Sequence, residues 1–437
     1  MSPQLHGRAS HVATVRWAVV SALLIAGASL AADADSPTWR TRLSAGYDAY
    51  VHTYYLAVDD TTETVSEVNA TAEIEGRSAR GAVHRWRLRS EVSAGSELLR
   101  GLFDGDWQWR PGGGAPRLRA DLTWFGRRYT EDSDYALSSD NHEARGELRW
   151  WPWRGDDLAL DLRASGKLLD FRTPSTLEQD YRETGAGAFL SSAGSLDRAW
   201  RVGLRAIGRA YPDSSAIDRD VVAAEGDLDA GGDRYDLWLY HRSERRRVAD
   251  VTARPSAWSH WTDLRLAVPA GPGHVVTNLN NEVWRYDQET SAYFDSWRTD
   301  VEFGYRWGDL LDVLWHALAT VDHLDAGDSP ESYTQVGLRG SVESYAHPFT
   351  GILALEYGHR WYRNPATGDL DFLTGDLADL SLGYTDFSYL EIWAMATWNL
   401  HDRLALDLIA SYQPEKHTEQ DDDTALGYGT VRLVWRP

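Results

Sequence analysis

At 437 residues, with a formal charge of −22, a quarter of its residues charged and a mean hydropathy of −0.47, the chain is too polar to be a helical membrane protein. Its sign is wrong for nucleic acid or an anionic bilayer surface as a partner. It holds no cysteine, which excludes a disulfide framework, a thiolate nucleophile and thiolate metal sites.

The chain opens with Arg8 and Arg16, an apolar run from Trp17 to Gly27, and the small residues Ser29 and Ala31. This pattern predicts a cleaved secretory signal peptide over residues 1–31. The remainder, 32–437, reads as one domain with no further long apolar run.

From Trp39 onward, apolar and polar residues alternate with a period of two, in segments of roughly ten to fourteen residues separated by turn residues. Trp39, Leu43, Ala45, Tyr47, Ala49 and Val51 fall on one face, and Arg40, Arg42, Ser44, Asp48 and His52 on the other. Val68, Ala70, Ala72 and Ile74 then oppose Glu67, Asn69, Glu73 and Glu75, and Trp86, Leu88 and Val92 oppose Arg85, Arg87, Arg89 and Glu91. The pattern continues with Leu118, Ala120, Leu122 and Trp124 against Arg117, Arg119 and Asp121. Further on, Val202, Leu204, Ala206 and Gly208 oppose Arg201, Arg205 and Arg209, and Val301, Phe303 and Tyr305 oppose Asp300, Glu302 and Arg306. Strand side chains alternate faces, so one face meets lipid and the other meets water. The sequence therefore predicts an all-β, transmembrane, antiparallel up-and-down barrel of about 18–20 strands. The stretch from Gly375 to Tyr389 is open between strand and loop.

Short Gly/Pro/Asp connections, such as Pro111–Pro116, Arg154–Asp157, Pro269–Gly273 and Gly308–Asp309, alternate with longer polar ones. The longer set includes Glu131–Asp140, Thr173–Asp180, Asp325–Glu331, Asn364–Asp376 and Gln413–Thr424. Tryptophan borders the short turns, at Trp107, Trp109, Trp150, Trp153, Trp307 and Trp398. Tyrosine borders the long loops, at Tyr129, Tyr181, Tyr211, Tyr333 and Tyr412. Both sets are expected to form girdles at the two membrane interfaces.

The final run, Ala425 to Trp435, alternates through Val431, Leu433 and Trp435. It resembles the C-terminal assembly strand of bacterial outer-membrane β-barrels of the porin-like class. The departure from that pattern is Arg436-Pro437 after the aromatic. The resemblance implies an outer-membrane location, outer-membrane lipid and lipopolysaccharide as surroundings, and recognition of the last strand by the barrel-assembly machinery.

Catalytic constellations are thin. Asp322-His323 with Asp325 stands at a strand-to-loop junction, where barrel proteases keep His and Asp pairs, but a solvated loop start explains it as well. His316 and His359 read as isolated lumen-lining residues. No metal site, cofactor or enzyme is expected; Glu419–Asp423 reads as a flexible acidic loop. The strongest constellation is the polar-face row of Arg85, Arg87, Arg89, Arg117, Arg119, Arg145, Arg149, Arg163, Arg201, Arg205 and Arg209. Arginines in a pore select anions, because guanidinium holds carboxylate or phosphate by two hydrogen bonds. Glu143, Glu147, Asp121, Asp161 and Asp227 stand close enough in sequence to pair them across the wall instead. The expectation is a channel for small hydrophilic solutes, anionic ones included. Export of an anionic exopolysaccharide, or a structural or adhesion barrel acting through its outer loops, are the alternatives.

Overall fold

The computed structural model describes residues 37–55, 60–79, 82–95, 98–113, 115–129, 140–172, 179–192, 198–290, 293–309, 312–327, 329, 331–363, 385–418 and 423–435. The expected signal peptide, most of the longer loops and the final Arg436-Pro437 lie outside these residues. Twenty strands make up the structure. They are β1 (Thr38–Tyr55), β2 (Asp60–Arg77), β3 (His84–Gly95), β4 (Leu98–Trp109), β5 (Leu118–Tyr129), β6 (Asn141–Arg154), β7 (Leu158–Phe171), β8 (Tyr181–Ser192), β9 (Arg198–Ala210) and β10 (Arg219–Gly232). The second half comprises β11 (Tyr235–Val248), β12 (Ala257–Ala270), β13 (Gly273–Tyr286), β14 (Ser296–Gly308), β15 (Leu314–Asp325), β16 (Tyr333–Ser344), β17 (Phe349–Tyr362), β18 (Phe387–His401), β19 (Leu404–His417) and β20 (Thr424–Trp435). Of the open stretch, Phe387–Tyr389 begins β18, and 375–384 fall outside the described residues. No described helix is long and apolar enough to cross a membrane.

Each strand pairs antiparallel with the next, and β1 pairs with β20 from Leu43↔Trp435 to Tyr54↔Thr424, so the sheet closes on itself. Closure leaves no strand edge, which satisfies the backbone polar groups inside a bilayer. Both ends of the sheet meet at one rim, the turn rim, where the short connections also lie; the longer ones lie at the opposite, loop rim. The two-residue alternation sorts side chains as the sequence implied. Leu122, Leu204, Val222, Phe303 and Leu338 are exposed on the outer wall, while the charged rows face the lumen. Direct cross-strand partners climb from rim to rim. One row starts at Trp200 near the turn rim and passes Leu228, Leu239, Leu264, Leu279, Val301, Val321 and Val336 before meeting His359 near the loop rim. This is the strand tilt that barrel closure demands.

Tryptophan girdles the turn rim. Trp39 lies 5.8 Å from Trp86 and Trp307 lies 6.4 Å from Trp315, with Trp109, Trp150, Trp153, Trp398 and Trp435 exposed around the same outer edge. The tyrosines depart from expectation: Tyr129, Tyr181, Tyr211 and Tyr333 lie on the inner side, and only Tyr412 of that set is exposed on the outer wall. At the loop-rim ends of strands rising from the turn rim, a hydrogen-bond clamp recurs. The backbone N–H groups of Tyr129, Phe171, Tyr211, Tyr286, Tyr362 and His417 each donate to the carboxylate of Asp140, Asp180, Asp218, Asp295, Asp386 or Asp423, every one at 2.7 Å. Those rings occupy the last inward position of each rising strand. Together they form a collar inside the barrel mouth rather than a belt outside it.

Candidate functional site: the lumen wall

Every arginine singled out from sequence is on a strand or turn whose alternation turns it to the lumen, and most are held by carboxylates on the same wall. Arg87 meets Glu75 at 3.2 Å, Arg89 lies between Glu73 (3.0 Å) and Glu91 (2.8 Å), and Arg119 between Asp106 (2.6 Å) and Asp121 (2.8 Å). Arg145 pairs with Glu143 at 2.5 Å and Arg149 with Glu147. Arg117 donates to the Trp151 carbonyl at 3.5 Å. Arg85 faces Gln108 across the strand pair and makes no ion pair among the described residues.

The densest part of this row crosses β6 to β10. The Phe189 ring, 1% exposed, lies over Gly187 and Gly203; a Cβ at Gly203 would stand 2.2 Å from the ring. Arg163 stacks on this ring at 4.1 Å while reaching Asp161 at 2.6 Å, and Arg201 stacks at 5.3 Å while reaching Asp227 at 2.6 Å. Nearer the loop rim, Arg209 lies 4.1 Å over Tyr181 and bonds Glu183 at 2.6 Å. Arg205 sits among them with Gly187 and Ala223 as its direct cross-strand neighbours. Neither neighbour has a carboxylate to offer, and among the described residues Arg205 has no ion pair.

A second network lines the opposite wall, from β14 to β18. Arg298 grips Asp322 through two nitrogens (3.2 and 2.9 Å), and the Tyr333 hydroxyl donates to the same carboxylate at 2.7 Å. Arg360 lies 4.1 Å over Tyr333 and 5.2 Å from Phe387, and donates to Gln335 at 2.8 Å. Glu356, 4% exposed, accepts from Arg339 (2.6 Å), Tyr389 (2.5 Å) and Thr320 (3.1 Å), and Arg339 continues to Glu302. Tyr333, Tyr362, Phe387 and Tyr389 pack as the one buried aromatic cluster of the described residues. Reading the row of arginines alone misses this patch. The available signal was parity: Tyr333, Arg360, Phe387 and Tyr389 all occupy polar-face positions.

Chemically, the two walls offer guanidinium groups held flat by rings and flanked by carboxylates. Such a surface suits a hydrated solute bearing both hydroxyl and anionic groups. Asp322 and His323 do not form a catalytic pair: Asp322 faces the lumen, whereas His323 faces outward and bonds Thr334 at 2.9 Å. His359, expected in the lumen, also faces outward, bonded to Ser388 at 2.8 Å. Among the described residues no group of His, Asp and Glu is arranged to hold a metal ion.

No protein-family model matches the chain, and no curated protein matches it. Among solved structures, it is similar to Pseudomonas aeruginosa OccK2 (OpdF) in complex with glucuronate, at 12% identity, covering 91% of this chain and 96% of that one with a TM-score of 0.46. It is also similar to P. aeruginosa OpdK with vanillate (11% identity, 91% and 98% covered, TM-score 0.46) and to Acinetobacter baumannii OccAB4 (10%, 92% and 98%, 0.46).

Proposed function

We propose that the chain is a bacterial outer-membrane channel, not an enzyme, that passes small hydrophilic anionic solutes by diffusion. The observation that carries this reading is Arg205, a lumen-facing guanidinium without an ion pair among the described residues, set in a wall whose other cations are mostly neutralised. The neutralised cations fix the shape and polarity of the lumen, and the cations without an ion pair among the described residues, Arg205 and Arg85 among them, supply the anion preference. Interleaving of positive and negative groups favours small solutes over a polymer conduit, for which a continuous basic track is required.

Single-channel recording of the refolded barrel in planar bilayers tests the reading, with glucuronate as the anionic probe. Wild-type protein is expected to conduct with anion preference. Arg205→Ala should lower the anion-to-cation permeability ratio about fivefold, as expected for losing one solvated ion-pairing group worth about 1 kcal/mol. A correctly folded, heat-modifiable barrel that passes no current overturns it.

A further inference from the structure

The lipid-facing wall has one feature that a channel does not need. On six successive strands, β16 to β11, the outward residues Thr334, His323, Thr299, Asn281, Thr262 and His241 are direct cross-strand partners of one another. At its upper end this row continues into Trp361 at the loop rim. Downward it passes through Gly226, Val202, Leu190 and Leu160 to Trp153 at the turn rim. The half of the row nearer the loop rim is thus polar between Trp361 and Trp153, and the other half is apolar. The next row toward the turn rim, from Val336 to Leu228, is wholly Val and Leu over the same strands. A general loss of hydrophobicity on this side does not explain so sharp a boundary.

The polar groups bond one another in pairs across alternate strand seams. His241 meets Thr262 at 2.9 Å, Asn281 donates to Thr299 at 2.7 Å, and His323 meets Thr334 at 2.9 Å. His260, beside them, bonds Ser243 at 2.9 Å through Nδ1. Among the described residues these bonds leave the Asn281 carbonyl oxygen and the Nε2 atoms of His260 and His323 unbonded, on a wall where lipid offers nothing in return.

We infer that this band is the contact between two copies of the chain in the membrane. Its members carry no fixed charge, so a charged headgroup or peptide finds no counter-ion there, and acyl chains cannot satisfy it. His241 is already bonded through both ring nitrogens, to Thr262 and Ser243, and the Asn281 amide nitrogen donates to Thr299 and the Arg298 carbonyl; the Asn281 oxygen, the threonine hydroxyls and the His323 Nε2 keep bonding capacity of both kinds, so the band is complementary to itself, as a two-fold contact requires. The rim directly above has the same property. Arg245–Asp287 (2.5 Å), Arg285–Asp295 (2.9 Å) and Arg363–Asp325 (3.2 Å) alternate sign along it. The Arg245 guanidinium also holds the Asp287 carboxyl below the ordinary carboxylate range, which keeps that alternation in mildly acidic surroundings. The inference stands apart from the channel reading, since it concerns the outer wall alone.

The absence of cysteine permits a clean test: single-thiol variants of the full chain, oxidised in isolated outer membranes. Asn281→Cys is expected to yield a disulfide-linked dimer, while Leu204→Cys, outward on the apolar wall, stays monomeric. A monomer at Asn281→Cys, equal dimer at both positions, or a link from Asn281→Cys to a different protein overturns the inference. In a second measurement, Thr262→Leu/Asn281→Leu is compared with the native chain by sedimentation in mild detergent, folding being checked by heat modifiability. A folded double variant that sediments as monomer while the native chain sediments as dimer supports the contact; an unchanged mass overturns it.

Discussion

Phe189 shows how a single side chain organises the lumen. Its ring covers Gly203, leaves no room for a Cβ there, and gives Arg163 and Arg201 a surface on which to lie flat. The Asp161 carboxylate, 4% exposed, depends on Arg163 for its charge pairing. Arg163→Ala is therefore expected to destabilise the barrel by about 3–5 kcal/mol, the usual cost of stranding a buried charge. The matched change Arg163→Met with Asp161→Leu should recover much of that loss. Both are read from the temperature at which the folded band is lost in heat-modifiability gels, and an unchanged transition for Arg163→Ala would count against the buried pair. Arg163 and Asp161 were legible in the sequence as inward residues because the period of two fixes the face. Phe189 was not, because an aromatic ring at an inward position reads the same whether it fills space, stacks a cation or lies at an interface. The outward histidine His359 failed for a related reason: it is polar, and polarity alone suggested the lumen.

At the scale of the strand, the recurring device is the loop-rim clamp. An aspartate immediately before the returning strand accepts the N–H at the end of the rising one. Ser256 does the same for Val248 at 3.1 Å. The clamp satisfies a backbone donor just where strand pairing ends and so fixes the point at which a long loop begins. Asp295→Ala, which removes the acceptor for Tyr286, should cost about 1 kcal/mol and free the start of the β13–β14 connection. Hydrogen exchange at the Tyr286 amide measures it directly: faster exchange is expected there, with Tyr211, clamped separately by Asp218, unchanged. The strands themselves were readable almost to their ends, since alternation is local. The clamp partners were not, because which aspartate of an acidic loop folds back depends on the neighbouring strand. That dependence is also why the tyrosine collar looked like an external girdle: position along a strand was plain, but its last residue sits in or out according to a register counted from the far rim.

For the whole molecule, the closed sheet was predictable in kind, and its number of strands fell within the expected 18–20. Closure itself was foreseeable from the bilayer, which tolerates no open edge, whereas the polar band of the outer wall appears only when six strands are set side by side in register. The seam between β1 and β20 is paired from Leu43↔Trp435 to Tyr54↔Thr424, as fully as the interior seam between β19 and β20, with both described chain ends at the turn rim. Thr38 lies five residues beyond the last paired row, or about 17 Å at the usual strand rise. The order in which the strands are synthesised is thus not written into the barrel they build. A chain whose residues 38 and 435 are joined by a short glycine linker, and which is reopened between β3 and β4, should refold to the same heat-modifiable barrel with the same conductance. What such a recut chain loses is the free terminal strand ending at Trp435. Its success in detergent together with failure in cells would separate what the sheet needs to exist from what the cell needs in order to insert it.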